Sequence, residues 1–280
     1  MLEFAEVNPV ELRDVAVEVA QEAARLIREK RVSIPDLAAH TETKSSAVDP
    51  VTEVDTASEE LIVARLRELR PDDGLIGEEG DSWESTSGVT WVADPIDGTV
   101  NFLYGLPQYA VSIAAAYAGE IIAGVVINVV TGELYRAARG HGAQRVVGET
   151  CTELRASSAT DPAVSLVATG FSYSAERRAR QAAILQELLP RVRDIRRMGA
   201  AALDLCHVAT GEVDAYYEHG THPWDWGAGS IVAEEAGAVV HTPRLDAPDG
   251  GGELVYAAGP QLAGPMERLL AASGALKNLN

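Results

Sequence analysis

Leu12, Val15, Val19, Ala23, Leu26 and Ile27 recur at helical spacing, which predicts an amphipathic helix laying one stripe on a core. Asn8-Pro9-Val10-Glu11 marks its start, with Asn as cap, Pro at the first helical position and Glu three residues after the cap. The helix ends near Arg31. From Ser33 to Val51 no period survives, and a polar stretch with Lys44-Ser45-Ser46 and Asp49-Pro50 reads as a mobile loop. Thr52-Glu53-Val54-Asp55 is a second capped start. Ala57, Leu61, Ala64, Leu66 and Leu69 then carry a helix to Pro71, and Leu75-Ile76 reads as a short strand before a loop over Ser82–Gly88.

The pattern then turns to strands. Ala110–Tyr117 and Ile121–Val130 are joined by Ala118-Gly119-Glu120, followed by Glu133–Ala138 and Ala143–Val147. Consecutive strands with tight turns and no intervening helix predict an antiparallel meander. The second half alternates: strands at Val164–Ala168, Val192–Ile195, Ala215–Tyr217, Ala238–His241 and Leu254–Ala257, helices at Ala175–Leu189, Ala200–Thr210, Gly227–Ala236 and Gln261–Ala272. Ala179, Ala182, Ala183, Leu185 and Leu189 are the apolar positions of the first of these helices. Alternation of this kind predicts a second α/β layer system. With no linker or repeat, the chain divides near Ser157–Pro162 into halves 1–157 and 158–280 that pack together.

Between the two patterns lies Trp91-Val92-Ala93-Asp94-Pro95-Ile96-Asp97-Gly98-Thr99-Val100-Asn101-Phe102. It reads as a buried strand turning sharply into a helix. Pro95 forces Asp94 into an extended conformation, and Gly98 is free to take a positive φ. Alone, Asp-Pro-x-Asp-Gly is ordinary surface-turn vocabulary. Here it presents two carboxylates at a strand end, followed by unpaired outward amides at Gly98 and Thr99, which suits a metal phosphate. Gly77-Glu78-Glu79 upstream and Trp224-Asp225 downstream add carboxylates in similar settings.

Composition narrows the classes. At 280 residues and 46% apolar, the chain has enough length for a sizeable core. Its 42 acidic against 23 basic residues, a net charge of −19, argue against a nucleic-acid or anionic-membrane surface. No apolar run is long enough to span a bilayer, and Met1-Leu2-Glu3-Phe4 lacks a signal peptide's character. Cys151 and Cys206 offer neither disulfide framework nor metal spacing, so a reduced cytoplasmic protein with both cysteines in the core is expected.

Three segments resemble the signatures of the inositol monophosphatase family, in matching order and spacing: Gly77-Glu78-Glu79, the Trp91–Phe102 stretch, and Trp224-Asp225-Trp226-Gly227-Ala228-Gly229. Gly199-Ala200-Ala201-Ala202-Leu203-Asp204-Leu205 resembles its small-residue helix start and Asp214-Ala215-Tyr216-Tyr217-Glu218 its substrate strand. The resemblance runs from the first helix almost to the C-terminus. It implies a mixed α/β fold, a layered αβαβα sandwich, and Mg²⁺-dependent hydrolysis of a phosphate monoester by metal-activated water with two or three ions per site. Glu78, Asp94, the Ile96 carbonyl and Asp97 would hold metal. Asp94 and Asp97 would extend to a second ion with Asp225, and Glu78 would reach a third through water. Thr99 with Asp55 would position the attacking water, and the amides of Gly98 and Thr99 the phosphate. Ala201 matches a position whose small size leaves room for the ring, Glu218 one that contacts inositol hydroxyls, and Lys44 the family's loop lysine.

Independent chemistry agrees: four carboxylates gathered from distant segments repel one another unless cations sit between them, and Mg²⁺ favours oxygen ligands. No Ser or Cys nucleophile with a paired His stands out. His219 and His222 read as structural or rim residues. Ala200 stands where the family commonly has a hydroxyl, and Trp226 is bulky for a turn after Asp225. The implied substrate is myo-inositol 1-phosphate or a close polyol phosphate, with histidinol phosphate or broad specificity as the alternative. A substrate with a second phosphate would need a basic cluster, and none stands out in the sequence. The resemblance further implies lithium sensitivity and a homodimer. A regulatory binding protein on the same fold is the competing class; a missing metal carboxylate would be its mark.

Overall fold

A computed structural model describes residues 7–33, 41–43, 50–245 and 252–279. Helix α1, Pro9–Ser33, begins where Asn8 Oδ1 accepts a hydrogen bond from the Val10 amide at 3.0 Å. It buries Leu12, Ala16, Val19, Ala20, Ala23, Ala24 and Ile27. Thr52 caps α2, Glu53–Leu69, through the anticipated capping box with Asp55. The buried face of α2 differs from the expected stripe: Ala64 is exposed, while Val54, Asp55, Ser58, Glu59, Ile62 and Leu66 face inward. The apolar count misled there because the helix aims polar side chains at the site as well as apolar ones at the core.

The expected loop over Ser33–Val51 contains paired backbone. Strands β1 (Thr41–Thr43) and β2 (Pro50–Thr52) form an antiparallel ladder. Lys44 lies outside the described residues.

The larger sheet holds β3 (Gly74–Gly77), β4 (Ser82–Trp83), β5 (Val89–Asp97), β6 (Ala110–Tyr117), β7 (Glu120–Asn128), β8 (Leu134–Ala138), β9 (Ala143–Val147) and β10 (Thr150–Glu153). Its order is β10-β9-β8-β7-β6-β5-β3-β4. The meander is antiparallel as expected, and only β3 and β5 pair in parallel. Strands β4 and β10 lack the apolar alternation that would have disclosed them. Cys151, expected in the core, is exposed on β10, all of whose residues are exposed; Cys206 is buried.

The smaller sheet holds β11 (Leu166–Thr169), β12 (Asp194–Arg196), β13 (Ala215–His219), β14 (Val239–His241) and β15 (Leu254–Ala258), in the order β12-β11-β13-β15-β14. It is mixed: β11 runs parallel to β12 and β13, while β15 is antiparallel to β13 and β14.

The remaining helices are α3 (Thr99–Tyr104), α4 (Ala175–Leu188), α5 (Ala201–Thr210), α6 (Pro223–Glu235) and α7 (Ala263–Ala272). Three buried clusters separate five layers: α1 and α2, the larger sheet, α5 and α6, the smaller sheet, then α4 and α7. This is the αβαβα sandwich. The apolar stripe expected for α4 is displaced: Ala179, Ala182, Ala183 and Leu189 are exposed, and Gln181, Ile184 and Leu188 are buried. Gln181 is tolerated inside because it accepts from the Ser172 amide at 2.9 Å and donates to the His219 carbonyl at 3.4 Å.

Helix α6 begins a full turn before the expected Gly227, so Asp225 belongs to its first turn and Trp226 is a buried core side chain. The helix sits tightly on the larger sheet. A Cβ on Gly124 of β7 would lie 2.5 Å from Ile231 and 2.8 Å from the backbone of Ala228, so only glycine permits this approach.

Candidate active site

Strand β5 is buried along its length, with Trp91, Val92 and Ala93 in the core. Asp94 pairs with Ser112 and Asp97 with Ala110, so three steps on β5 face two on β6. This bulge accommodates Pro95, which cannot serve a regular central ladder. The irregularity turns Asp94 and Asp97 toward one cavity. Gly98, with φ 92° and ψ 38°, swings the chain into α3. Among the described residues neither the Gly98 nor the Thr99 amide has a hydrogen-bond acceptor.

Each acid is anchored by backbone. Asp94 Oδ1 accepts from the Ile96 amide at 2.9 Å. Asp97 accepts from the first-turn amides of α5, Ala201 at 3.3 Å and Ala202 at 2.8 Å. Asp225 Oδ2 accepts from the His222 amide at 2.6 Å, and Ser112 Oγ donates to the Trp224 carbonyl at 3.0 Å, seating this end of α6 on β6. Carboxylate oxygens of Asp94, Asp97 and Asp225 consequently lie within 4.8 Å of one another.

Glu78, just past β3, is hydrogen-bonded to Asp94 and lines the same cavity of about 520 Å³. Burial raises Asp94 well above the usual carboxylate range, and the charges of Glu78, Asp97 and Asp225 raise it further. Asp97 is pushed up to about 8 by burial, against the pull of the Ala202 amide. Asp225 is likewise raised well above its ordinary value, by burial and then by Asp97 and Glu78.

Thr99 Oγ1 lies 3.0 Å from both Asp55 Oδ1 and the Ile96 carbonyl. Asp55, fully buried, also accepts from the Thr52 amide at 3.0 Å and from the Thr52 hydroxyl. Burial raises it to about 6. The carboxylate expected at Glu218 is on β13, where Tyr216 donates to it at 2.9 Å. Glu218 occupies the space that a Cβ on Gly170 would fill. Burial brings it to about 7, with Tyr216 and the charge of Arg197 opposing. Ala201 lines the cavity beside it. His219 contacts the Ala275 carbonyl through Nε2 at 2.6 Å, and His222 stacks on Trp224 at 4.7 Å, which fits the structural roles expected for both.

Sequence reasoning missed Glu59. It is buried on α2, and its Oε2 accepts from the Glu79 amide at 2.7 Å and its Oε1 from the Asp81 amide at 3.0 Å. A Cβ on Gly77 would lie 2.6 Å from Oε1. Glu59 therefore clamps the turn that presents Glu78. Its spacing of one helical turn from Asp55 was the available signal. Asn101 was also missed as a tie: its Nδ2 donates to the carbonyls of Gln108 at 2.7 Å and Met198 at 2.8 Å, joining α3 to the approach to α5.

The donor set fits a hard divalent cation. All ligating atoms are oxygens, they converge, and no Lys or Arg forms an ion pair with Asp94, Asp97 or Asp225 among the described residues. No helix among those residues is long and apolar enough to cross a membrane.

Comparison with known proteins agrees with this geometry. The sequence model of the Inositol monophosphatase family matches residues 8–278. An "Inositol-1-monophosphatase" of Mycobacterium leprae is 48% identical over 276 residues, covering 95% of this chain and 94% of the relative. The "Nus factor SuhB" of Escherichia coli K12 is 40% identical over 229 residues, covering 81% and 83%. The solved structure of Mycobacterium tuberculosis SuhB superposes with a TM-score of 0.83 at 41% identity, over 97% of this chain and 100% of that one. The chain belongs to the inositol monophosphatase family.

Proposed function

We propose that the protein is a Mg²⁺-dependent phosphomonoesterase that hydrolyses myo-inositol 1-phosphate, or a close polyol phosphate, to the free polyol and inorganic phosphate. The observation that carries this reading is the convergence of three carboxylates, Asp94 and Asp97 buried and Asp225 half-buried, beside the free amides of Gly98 and Thr99. Glu78, Asp94, Asp97, Asp225 and the Ile96 carbonyl would hold the two or three ions. Bound Mg²⁺ lowers the pKa of water and stabilises charge on the leaving oxygen. The chain's own groups supply position. Thr99 has one hydroxyl proton; donating it to Asp55 leaves an Oγ1 lone pair to accept a hydrogen bond from the attacking water. The Gly98 and Thr99 amides bind phosphate oxygens at the start of the turn. Glu218 accepts hydrogen bonds from ring hydroxyls, and Ala201 leaves room for the ring.

A carboxylate at Glu218 favours a hydroxyl-rich ring over the cationic side chain of histidinol phosphate only through its hydrogen bonds, so the two esters are the decisive pair. Phosphate release from each, with and without Mg²⁺, tests the reading. Mg²⁺-dependent release from the inositol ester, inhibited by Li⁺, is the expected result; release from histidinol phosphate alone would overturn the substrate and leave the chemistry. The reading extends to a cytoplasmic homodimer whose halves, 1–157 and 158–280, work as one catalytic unit, without a nucleic-acid or membrane partner. The name of the E. coli relative favours a second reading, a regulatory partner on this fold. The full set of metal carboxylates in this chain supports the enzyme.

A further inference from the structure

Helix α5 holds the stretch after β5 at its N-terminal end, where the Ala201 and Ala202 amides donate to Asp97. Its other end makes a second contact with the same part of the chain. His207, in the last turn of α5, meets Gln108 Nε2 through Nε2 at 3.0 Å and Glu212 through Nδ1 at 2.6 Å. A carboxylate only accepts, so Nδ1 carries the ring proton and Nε2 is left to accept from the Gln108 side-chain amide. Glu212 is held opposite the ring by the way the helix stops. Gly211 takes φ 74° at the C-cap, the Glu212 amide donates to Thr210 Oγ1 at 3.3 Å, and the Val213 amide donates to the His207 carbonyl at 3.2 Å.

Gln108 is where this relay reaches the site. Its carbonyl oxygen accepts from Asn101 Nδ2 at 2.7 Å and would lie 2.9 Å from a Cβ on Gly98. The turn at Gly98 is thus packed directly against the Gln108 backbone. Residues 104–107, which lead from α3 to Gln108, are all exposed. Beyond its hydrogen bonds to α3, this connection is held at Pro107, whose carbonyl accepts from Asn128 Nδ2 at 3.4 Å, and at Gln108. An exposed connection takes its place from whatever grips its last residue, and here that is an imidazole on a buried helix. Gln108, His207 and Glu212 all lie outside the lining of the cavity.

We propose that His207, oriented by Glu212, is a positioning residue for phosphate binding: through Gln108 it fixes the turn whose Gly98 and Thr99 amides receive the phosphate. This rests on the part of the phosphomonoesterase reading that places phosphate at those two amides. The two ends of α5 then have separate tasks. The N-terminal end sets a metal acid, and the C-terminal end sets the amides beside it. Amides that hold phosphate equally in the ground and transition states are felt in KM and not in kcat.

The test pairs His207→Leu with His207→Gln. Leucine offers no polar atom, whereas a glutamine amide accepts from Gln108 and donates to Glu212 as the ring does. Calorimetry measures inorganic phosphate binding in the presence of Mg²⁺ and, separately, Mg²⁺ affinity; steady-state kinetics use myo-inositol 1-phosphate. His207→Leu should weaken phosphate about two- to tenfold, the worth of one hydrogen bond. KM should rise by the same factor, with kcat and Mg²⁺ affinity unchanged, and His207→Gln should recover most of the loss. Glu212→Ala is a second variant at an exposed position, and Arg145, which also pairs with Glu212 at 3.5 Å, retains Glu133. It should weaken phosphate in the same direction by less, and it decides the matter if His207→Leu does not fold. Phosphate affinity indifferent to these changes would overturn the proposal, as would a glutamine variant no better than leucine. A loss shared with Mg²⁺, or falling on kcat alone, would mark a helix displaced as a whole and overturn it too. Hydrolysis of the ester with phosphate binding indifferent to His207 sinks the relay and keeps the phosphatase; the expected binding pattern without hydrolysis of any ester does the reverse.

Discussion

The corner at Asp94–Thr99 and the wall around Glu218 line one cavity, yet they are held by different means. In the corner, Asp94, Asp97 and Asp225 each accept backbone amides from the elements that carry or adjoin them. On the wall, Glu218 is held by a tyrosine hydroxyl and faces the charge of Arg197. Backbone anchors move only if an element moves, whereas side-chain anchors change with one substitution. The chemistry of this fold is thus rigidly set while its choice of substrate is adjustable, and substitutions should divide accordingly between kcat and KM.

The corner gives the largest expected effect. Asp97→Asn should lower kcat by on the order of 10³, the upper range for one preorganised electrostatic group, while raising the thermal midpoint of metal-free protein. Asp97 titrates at about 8 when folded, far above its ordinary 3.8. Its protonation stabilises the folded state fully below pH 4, and this is lost as pH rises through 8. The midpoint of metal-free wild type should therefore fall across that window, and Asp97→Asn should flatten the fall. A variant with near-normal kcat, or an unchanged pH profile, would break the contrast. Glu59→Gln comes next, because a glutamine offers one carbonyl oxygen to two amides. Mg²⁺ affinity by titration should weaken about tenfold, at the low end for an outer-shell partner, with kcat largely recovered at saturating Mg²⁺. The smallest effect belongs to the wall: Tyr216→Phe should raise KM for the inositol ester about two- to tenfold, the worth of one hydrogen bond. A matching loss in kcat would mean that wall and corner are one unit.

What could be read from the sequence follows the same divide. The cluster of acids was legible because Asp94, Asp97 and Gly98 sit together in a turn whose chemistry is local, and the meander was legible from alternation and tight turns. Asp55 was visible through its capping box. Glu59 was hidden because its role, accepting amides from the turn after β3, depends on how α2 packs. The start of α6 was misplaced since Pro223-Trp224-Asp225-Trp226 reads as a turn until His222 is seen capping it. That Arg177 and Arg197 line one cavity was invisible, because it requires α4 and the β12–α5 connection to border that space.

The contact of α6 with Gly124 bears on how this family is read. A methyl group at position 124 would have to push aside Ile231 and the backbone of Ala228, shifting the helix whose first turn carries Asp225. The spacing of acids that never touch β7 is thus inherited from the thickness of a packed layer. A relative could keep every carboxylate and still lose turnover through one added carbon atom remote from the cavity. An inventory of ligands is therefore an incomplete criterion for deciding which descendants of this fold remain enzymes and which have become partners of other machinery.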